Sequence, residues 1–243
     1  MKKIDFKGSV VLNPVPVVLI TSKNSEGKEN VFTVAWTGTI CTKPPMLSIS
    51  IRPERLSYEY IKESQEFIVN LPTVALTKET DFCGVRSGRV VDKIKEMGFT
   101  MKEGEQVGCS YIDECPINIE CRVKSIIPLG THDLFLAEVL TSHIDENLLD
   151  ENGKIHFEEA NLINYCHGEY FPMSKKVLGS FGFSVMKEKT KIKKGLVNKK
   201  DPKKTEENKQ TEEKPKKRKR DLPPFWGCLL YTSPSPRDGL LSR

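Results

Sequence analysis

The 243 residues carry 38 Lys/Arg against 33 Asp/Glu, a formal net charge of +5, with 37% hydrophobic side chains. The positive excess is local: residues 187–221 hold 16 Lys/Arg against 7 Asp/Glu, whereas residues 1–186 hold 20 against 25. The body is therefore mildly acidic, which argues against nucleic-acid binding by the folded part.

The seven cysteines show no CxxC spacing, so no metal site is expected. Their odd number, behind an N-terminus (MKKIDFKGSV) without a signal-peptide pattern, predicts reduced thiols and a cytoplasmic setting. No apolar run approaches the roughly 18 residues that a membrane span needs.

In chain order, GSVVL (8–12), PVPVVLITS (14–22), NVFTVAWTGTICT (30–42), MLSISI (46–51) and EFIVNL (66–71) are short runs rich in Val, Ile, Thr and Phe, separated by turn residues. They read as strands. SKNSEGKEN (22–30) has the Asn, Ser and Gly of a hairpin connection. ERLSYEYIKES (54–64) switches to helical spacing, with Leu56, Tyr60 and Ile61 on one face and Ser57 as the expected N-cap. VALTKETDFCG (74–84) and RVVDKIKEMG (89–98) read as two further short helices, the second ending at Gly98. Two long strands, PINIECRVKSII (116–127) and DLFLAEVLTSHI (133–144), flank the turn PLGTH, and KIHFEEANLINYCHGEYF (154–171) adds one or two more.

Many strands, few helices and no βαβ alternation predict a mainly β, closed or nearly closed antiparallel barrel. A doubly wound sheet is disfavoured, because neither GxGxxG nor GxxxxGK[ST] occurs. The expected division is a body over 1–186 and a disordered basic Lys/Glu-rich tail over 187–221. Its KPKKRKR is an import signal, a polyanion patch or simply solvated charge. The third part, 222–243, contains LLYTSPSPRD and resembles translated adaptor DNA rather than native protein.

Three stretches carry candidate chemistry. On an extended strand Thr33, Thr37 and Thr39 share a face with Val31 and Ala35; they form either an ordinary exposed face or a polar row for a flat heterocycle. Trp36 then points the other way. In SIRPERLS (50–57) a strand end, Arg52, Arg55 and Ser57 meet a helix start, a plausible phosphate site. In DFCGVRSGR (81–89) two glycines, Ser87 and two arginines surround Cys83, which suits a reactive thiol or an anion-holding loop; as a small residue Cys83 also suits packing, against a ligand or away from it. Cys83 lacks a neighbouring cysteine for disulfide chemistry. Cys166 and His167 are adjacent on a strand and point apart. His132, His143 and His156 read as surface residues.

The run from Asn30 to Leu71, followed by TDFCGVRSGRVVDK, CHGEYF and GSFGFSV, resembles the flavin reductase-like family of FMN-binding split barrels, flavoredoxin type. The likeness spans about Lys7 to Val185. It implies a six-stranded antiparallel split barrel with inserted helices, and a homodimer with one FMN per subunit (FAD being the alternative cofactor). It also implies NAD(P)H as co-substrate and a protein electron-transfer partner.

Carried over by position, Thr33, Ala35, Trp36, Thr37 and Thr39 line the flavin ring, and Ser50, Ile51, Arg52 and Ser57 hold the ribityl chain and phosphate. Cys83, Gly84, Ser87, Gly88 and Arg89 close over the cofactor, and His167 serves the nicotinamide side as the catalytic candidate. Three functions follow as alternatives: an NAD(P)H-dependent flavin reductase, an FMN electron carrier without its own nicotinamide site, and a non-enzymatic flavin-binding module.

Overall fold

The computed structural model describes residues 1–5 and 7–187. Its body, Met1–Phe181, is one unit. The tail (187–221, apart from Lys187) and the terminal segment (222–243) lie outside the described residues.

Among the described residues the body contains twelve strands: β1 (Val15–Pro16), β2 (Val18–Lys23), β3 (Glu29–Val34), β4 (Thr37–Thr42), β5 (Pro45–Ile51), β6 (Glu66–Asn70), β7 (Met101–Glu103), β8 (Ser110–Ile112), β9 (Ile117–Pro128), β10 (Asp133–Ile144), β11 (Ile163–Cys166) and β12 (Glu169–Pro172). Three α-helices are inserted: α1 (Leu56–Ser64), α2 (Thr77–Val85) and α3 (Lys93–Met97). All strand pairings are antiparallel, as the mainly β expectation holds. The principal sheet has seven strands rather than the expected six, in the order β3-β2-β6-β9-β10-β5-β4.

The two edges of that sheet are consecutive in the chain, because β3 ends at Val34 and β4 begins at Thr37. Only Ala35 and Trp36 separate opposite edges, so the sheet must roll round on itself, and the Ser50 N–H donates to the Trp36 carbonyl at 2.9 Å across the corner. Inside, Ile20, Phe32, Ile49, Ile51, Phe67, Val69, Cys121 and Phe135 form one buried cluster. These residues alternate along their strands, as a pleated strand facing a core requires; truncating Phe67 or Phe135, both fully buried, is expected to cost about 3–5 kcal/mol.

A second cluster lies outside the barrel wall, where Leu19 and Val31 meet Cys83, Phe99, Ile112 and Cys115. It anchors α2 and the segment after α3 against β2 and β3. Beside it the fully buried Asn70 amide donates to the Leu19 carbonyl at 3.0 Å, while its oxygen accepts from the Ile112 N–H and from Asn118 Nδ2, each at 2.9 Å. That network pins β8 to the sheet and leaves neither the Asn70 nor the Asn118 amide unpaired. A separate three-stranded sheet, β1-β11-β12, carries the C-terminal hairpin.

Four local expectations change. Gly8–Leu12 forms no strand; its valines and Leu12 are exposed, so no sheet partner rewards extension there. Residues 14–22 break at Val17 into β1 and β2, and 30–42 break at the barrel corner. α1 starts at Leu56 with Arg55 as N-cap and no side-chain cap; Ser57 instead lies in the first turn, buried, accepting from Asn30 Nδ2 at 2.7 Å.

Candidate functional site

At the barrel corner a cleft of about 400 Å³ opens, walled by the end of β3 and the corner residues Ala35 and Trp36, the end of β5, α2, the β9–β10 turn and the β11–β12 hairpin. A smaller cleft of about 120 Å³ adjoins it, with Phe32 and Arg55 bordering both. The break in β3–β4 explains the first wall: once the strand bends, alternation ends, and Thr33, Ala35 and Trp36 all border the large cleft. Ser50, Ile51 and Arg52 join them from β5 and the residue after it. Thr37 and Thr39 do not. Past the corner they line a different, apolar groove with Val18, Leu47 and Leu71.

Helix α2 supplies the opposite wall through its spacing. Asp81, Gly84 and Val85 stand at i, i+3 and i+4 and border the cleft, while Thr80 and Cys83 turn inward and are buried. Cys83 therefore belongs to the packing behind the wall, and burial pushes its thiol up to about 11. At neutral pH such a thiol is not a nucleophile. Gly84 lets α2 approach β3: a Cβ there would sit 3.3 Å from Thr33 Cβ, and the Thr33 hydroxyl donates to the Thr80 carbonyl.

The smaller cleft gathers Ser57, Arg86, Ser87, Gly88 and Lys93 with Arg55. Gly88 is required by space, since a Cβ would come within 2.2 Å of Asn30 Oδ1, on the amide that holds Ser57. Lys93 is buried, and its Nζ donates to the Cys83 carbonyl at 3.1 Å. Burial, aided by the nearby Arg55 charge, lowers its pKa to about 8. Among the described residues Arg55 and Arg86 have no ion-pair partner, whereas Arg52 is paired with Glu54 at 2.9 Å. Arg89 turns away from both clefts and pairs with Glu59 on α1.

His167 lies outside both clefts. It occupies the tight β11–β12 turn with φ +49, and its N–H donates to Asn13 Oδ1 at 3.2 Å. The histidine that does border the large cleft is His132, in the β9–β10 turn, its ring 4.5 Å from that of Trp36. Burial, followed by the Arg52 charge, holds its pKa below the ordinary histidine value. Tyr165 and Tyr170 complete the wall from the hairpin. Residue-by-residue reading missed His132, Lys93, Asp81 and the two tyrosines; for Lys93 alone a local signal existed, an amine in the apolar frame of RVVDKI.

The arrangement suits a ligand with a flat ring and a phosphate. The large cleft offers aromatic and apolar walls with backbone and hydroxyl groups. The small one offers two serine hydroxyls, two unpaired arginines and a desolvated amine, a donor set that matches an oxyanion. A flavin mononucleotide fits these residues, and the space that Gly84 and Gly88 keep free of Cβ atoms is what close backbone approach to such a ligand needs.

Among solved structures, flavoredoxin of Desulfovibrio vulgaris (Miyazaki F) superposes with a TM-score of 0.71 at 25% identity, covering 75% of this chain and 100% of that one. Flavoredoxin from Methanosarcina acetivorans superposes at 0.69 with 29% identity, covering 76% and 100%. A high molecular weight rubredoxin of Moorella thermoacetica is 29% identical over 103 residues, 41% of this chain and 43% of that protein. Residues 11–174 match the flavin reductase like domain, and the chain belongs to that family.

Proposed function

We propose that the protein is an FMN-binding oxidoreductase of the flavin reductase or flavoredoxin type, taking electrons from NAD(P)H and passing them to an acceptor. The observation that carries this reading is the adjacency of the two clefts: a ring-sized aromatic cleft and a small cationic one share Phe32 and Arg55 as lining residues. The flavin, when bound, supplies the redox chemistry by accepting hydride at N5. Ser57, Ser87, Arg55, Arg86 and Lys93 hold the phosphate. Thr33, Ala35, Ser50 and Ile51 border the ring and ribityl chain, and Trp36 with His132 covers the mouth. The small cleft suits one phosphate, which favours FMN over FAD.

The activity belongs to residues 1–186, and the reading assigns the tail (187–221) and terminal segment (222–243) no part in it. A homodimer is supported by β4, an edge strand of the sheet on which Ile40 and the adjoining Trp36 are 46% and 45% exposed. All six cysteines of the described residues are free, in keeping with a cytoplasmic setting.

The test is an absorbance spectrum of the purified protein, then anaerobic titration with NADH and NADPH. A flavin spectrum, or its appearance on adding FMN, followed by bleaching with a nicotinamide, is the expected result. Protein that takes up no flavin overturns the reading.

A second reading, an electron carrier served by a protein donor, is favoured by the match to a rubredoxin-named relative. Bound flavin that neither nicotinamide reduces, but an iron–sulfur protein does, would select it.

A further inference from the structure

Three carboxylates stand at or beside the clefts, and they differ in their partners. Glu54 borders the small cleft and pairs with Arg52; Glu59 pairs with Arg89. Asp81 is the one acidic residue bordering the large cleft, and among the described residues no cation comes within ion-pair distance of it. Its single side-chain partner is the Tyr170 hydroxyl, which donates to Oδ1 at 3.1 Å. Tyr170 in turn meets Tyr165 edge to face, ring centroids 5.4 Å apart at 65°. The hydrogen bond joins α2 to the β11–β12 hairpin, so the carboxylate is oriented, and among the described residues its Oδ2 accepts no hydrogen bond. The same cleft also holds two cations, Arg52, which is paired with Glu54, and Arg55; at the Asp81 end the carboxylate and the two tyrosine rings favour a flat cation, because charge and aromatic surface attract it together.

We propose that Asp81, oriented by Tyr170 and backed by Tyr165, forms a subsite for a planar nitrogen-heterocyclic cation, the pyridinium form of a nicotinamide. This rests on the nicotinamide reading above and deepens it. A dihydronicotinamide that loses its C4 hydride to the flavin, two electrons and one proton, becomes a pyridinium cation, so the charge Asp81 meets grows as the C4–H bond breaks. Asp81 then acts as a specificity-determining residue, favouring donors that end as cations.

The test uses three probes against FMN-saturated protein and, separately, protein without added FMN: 1-methylnicotinamide (a fixed cation), nicotinamide (neutral) and nicotinate (an anion). Affinities are read by calorimetry in wild type, Asp81→Asn and Tyr170→Phe, with the FMN dissociation constant of each measured in parallel. Wild type is expected to bind the cation about tenfold more tightly than nicotinamide, the size of one charge-assisted contact, and to bind nicotinate least. Asp81→Asn is expected to erase the charge preference while leaving FMN affinity within about twofold. Tyr170→Phe should reduce the preference without abolishing it.

Equal affinity for the three probes in wild type, or a preference that survives in Asp81→Asn, overturns the subsite. A large loss of FMN affinity in Asp81→Asn also overturns it, since Asp81 then belongs to the flavin. Failure of wild type to bind FMN at all would instead overturn the flavin reading, and the measurements without FMN still decide the charge preference.

Discussion

Trp36 and His132 face each other at the cleft mouth, ring centroids 4.5 Å apart and planes tilted by 44°, although they come from the barrel corner and the β9–β10 turn. The geometry makes Trp36 emission a reporter of His132 charge. Burial first, then Arg52, lowers the His132 pKa, so the ring is neutral at pH 7 and protonates only in acid. In a Trp226→Phe chain, where Trp36 is the remaining tryptophan, fluorescence should fall on acidification with a midpoint below the ordinary histidine value. His132→Gln should abolish the transition. A midpoint above 6.5 would contradict the burial argument. Because the folded pKa is depressed, protonation also costs stability as the pH falls towards that value.

Lys93 makes the phosphate end pH-sensitive. Its pKa of about 8, lowered by burial first, means that the folded chain holds the amine against its ordinary preference, a cost of about 3 kcal/mol in the charged form. The sign is the reverse of a salt-bridged lysine: the cost is fully present below about 8 and is relieved as the pH rises towards the unfolded value near 10.5. Urea unfolding of the flavin-free protein should therefore show rising stability from pH 8 to 10 on this account. Lys93→Met should be at least as stable as wild type at pH 7 while binding FMN at least tenfold more weakly. Wild-type FMN affinity should decline above pH 8, as the amine loses its charge. A Lys93→Met chain with unchanged FMN affinity would remove this residue from the phosphate site.

The strands were legible because short runs rich in Val, Ile, Thr and Phe lie between turn residues, and the Val, Ile and Phe side chains of β2, β3, β5 and β6 now fill the barrel. The corner was not. Alternation through NVFTVAWTG assigns Ala35 and Trp36 to opposite faces, and nothing local announces that β3 must cross to the other edge of a rolled sheet within two residues. The same bend separates Thr33 from Thr37 and Thr39. His132, Tyr165 and Tyr170 were invisible for a different reason: each lies on a turn or hairpin that meets the site only through tertiary folding. Cys83 packs as a small core residue: helical spacing puts its neighbour Gly84 in the cleft and its own thiol behind the wall.

Gly88 is predicted to be intolerant of even one carbon. A Cβ would meet Asn30 Oδ1 at 2.2 Å and Leu56 Cδ2 at 3.0 Å, so Gly88→Ala must displace the amide that donates to Ser57 Oγ. FMN affinity is expected to fall about tenfold or more, with a stability loss of about 1–3 kcal/mol from overpacking. Gly153→Ala, in a loop with open space around it, is the control and should leave flavin affinity unchanged despite some backbone strain. Titration with FMN by fluorescence quenching checks both.

Cys83→Ala should keep the flavin. The thiol is 1% exposed and raised to about 11 by burial, so iodoacetamide at pH 8 should leave it unmodified in the folded chain and label it on unfolding. Peptide mass analysis locates the label. The substitution is expected to cost about 1 kcal/mol of stability through a small cavity. Rapid labelling of folded protein at Cys83 would reinstate the reactive thiol.

Glu120, which lines neither cleft, carries the sharpest stability prediction. Its fully buried carboxylate accepts from the backbone N–H groups of Glu105, Gln106 and Val107 at 2.8, 2.7 and 3.0 Å, and from His143 Nε2 at 2.6 Å. Burial alone raises its pKa, but the hydrogen bonds from His143 and the two N–H groups of Glu105 and Gln106 outweigh it, so the net shift is downward. A depressed carboxyl pKa contributes stability that is present above the unfolded value and lost as the pH falls through the folded one. The loop 104–109 should therefore open in acid, below the ordinary glutamate range. Glu120→Gln replaces a four-fold acceptor with a group that must aim two amide protons at donors, at an expected cost of about 3 kcal/mol or more. Hydrogen exchange of the 105–107 amides reads the opening directly: fast exchange at pH 7 in Glu120→Gln and slow exchange in wild type is the expected contrast, and equal protection in the two chains would show that the carboxylate does not hold this loop.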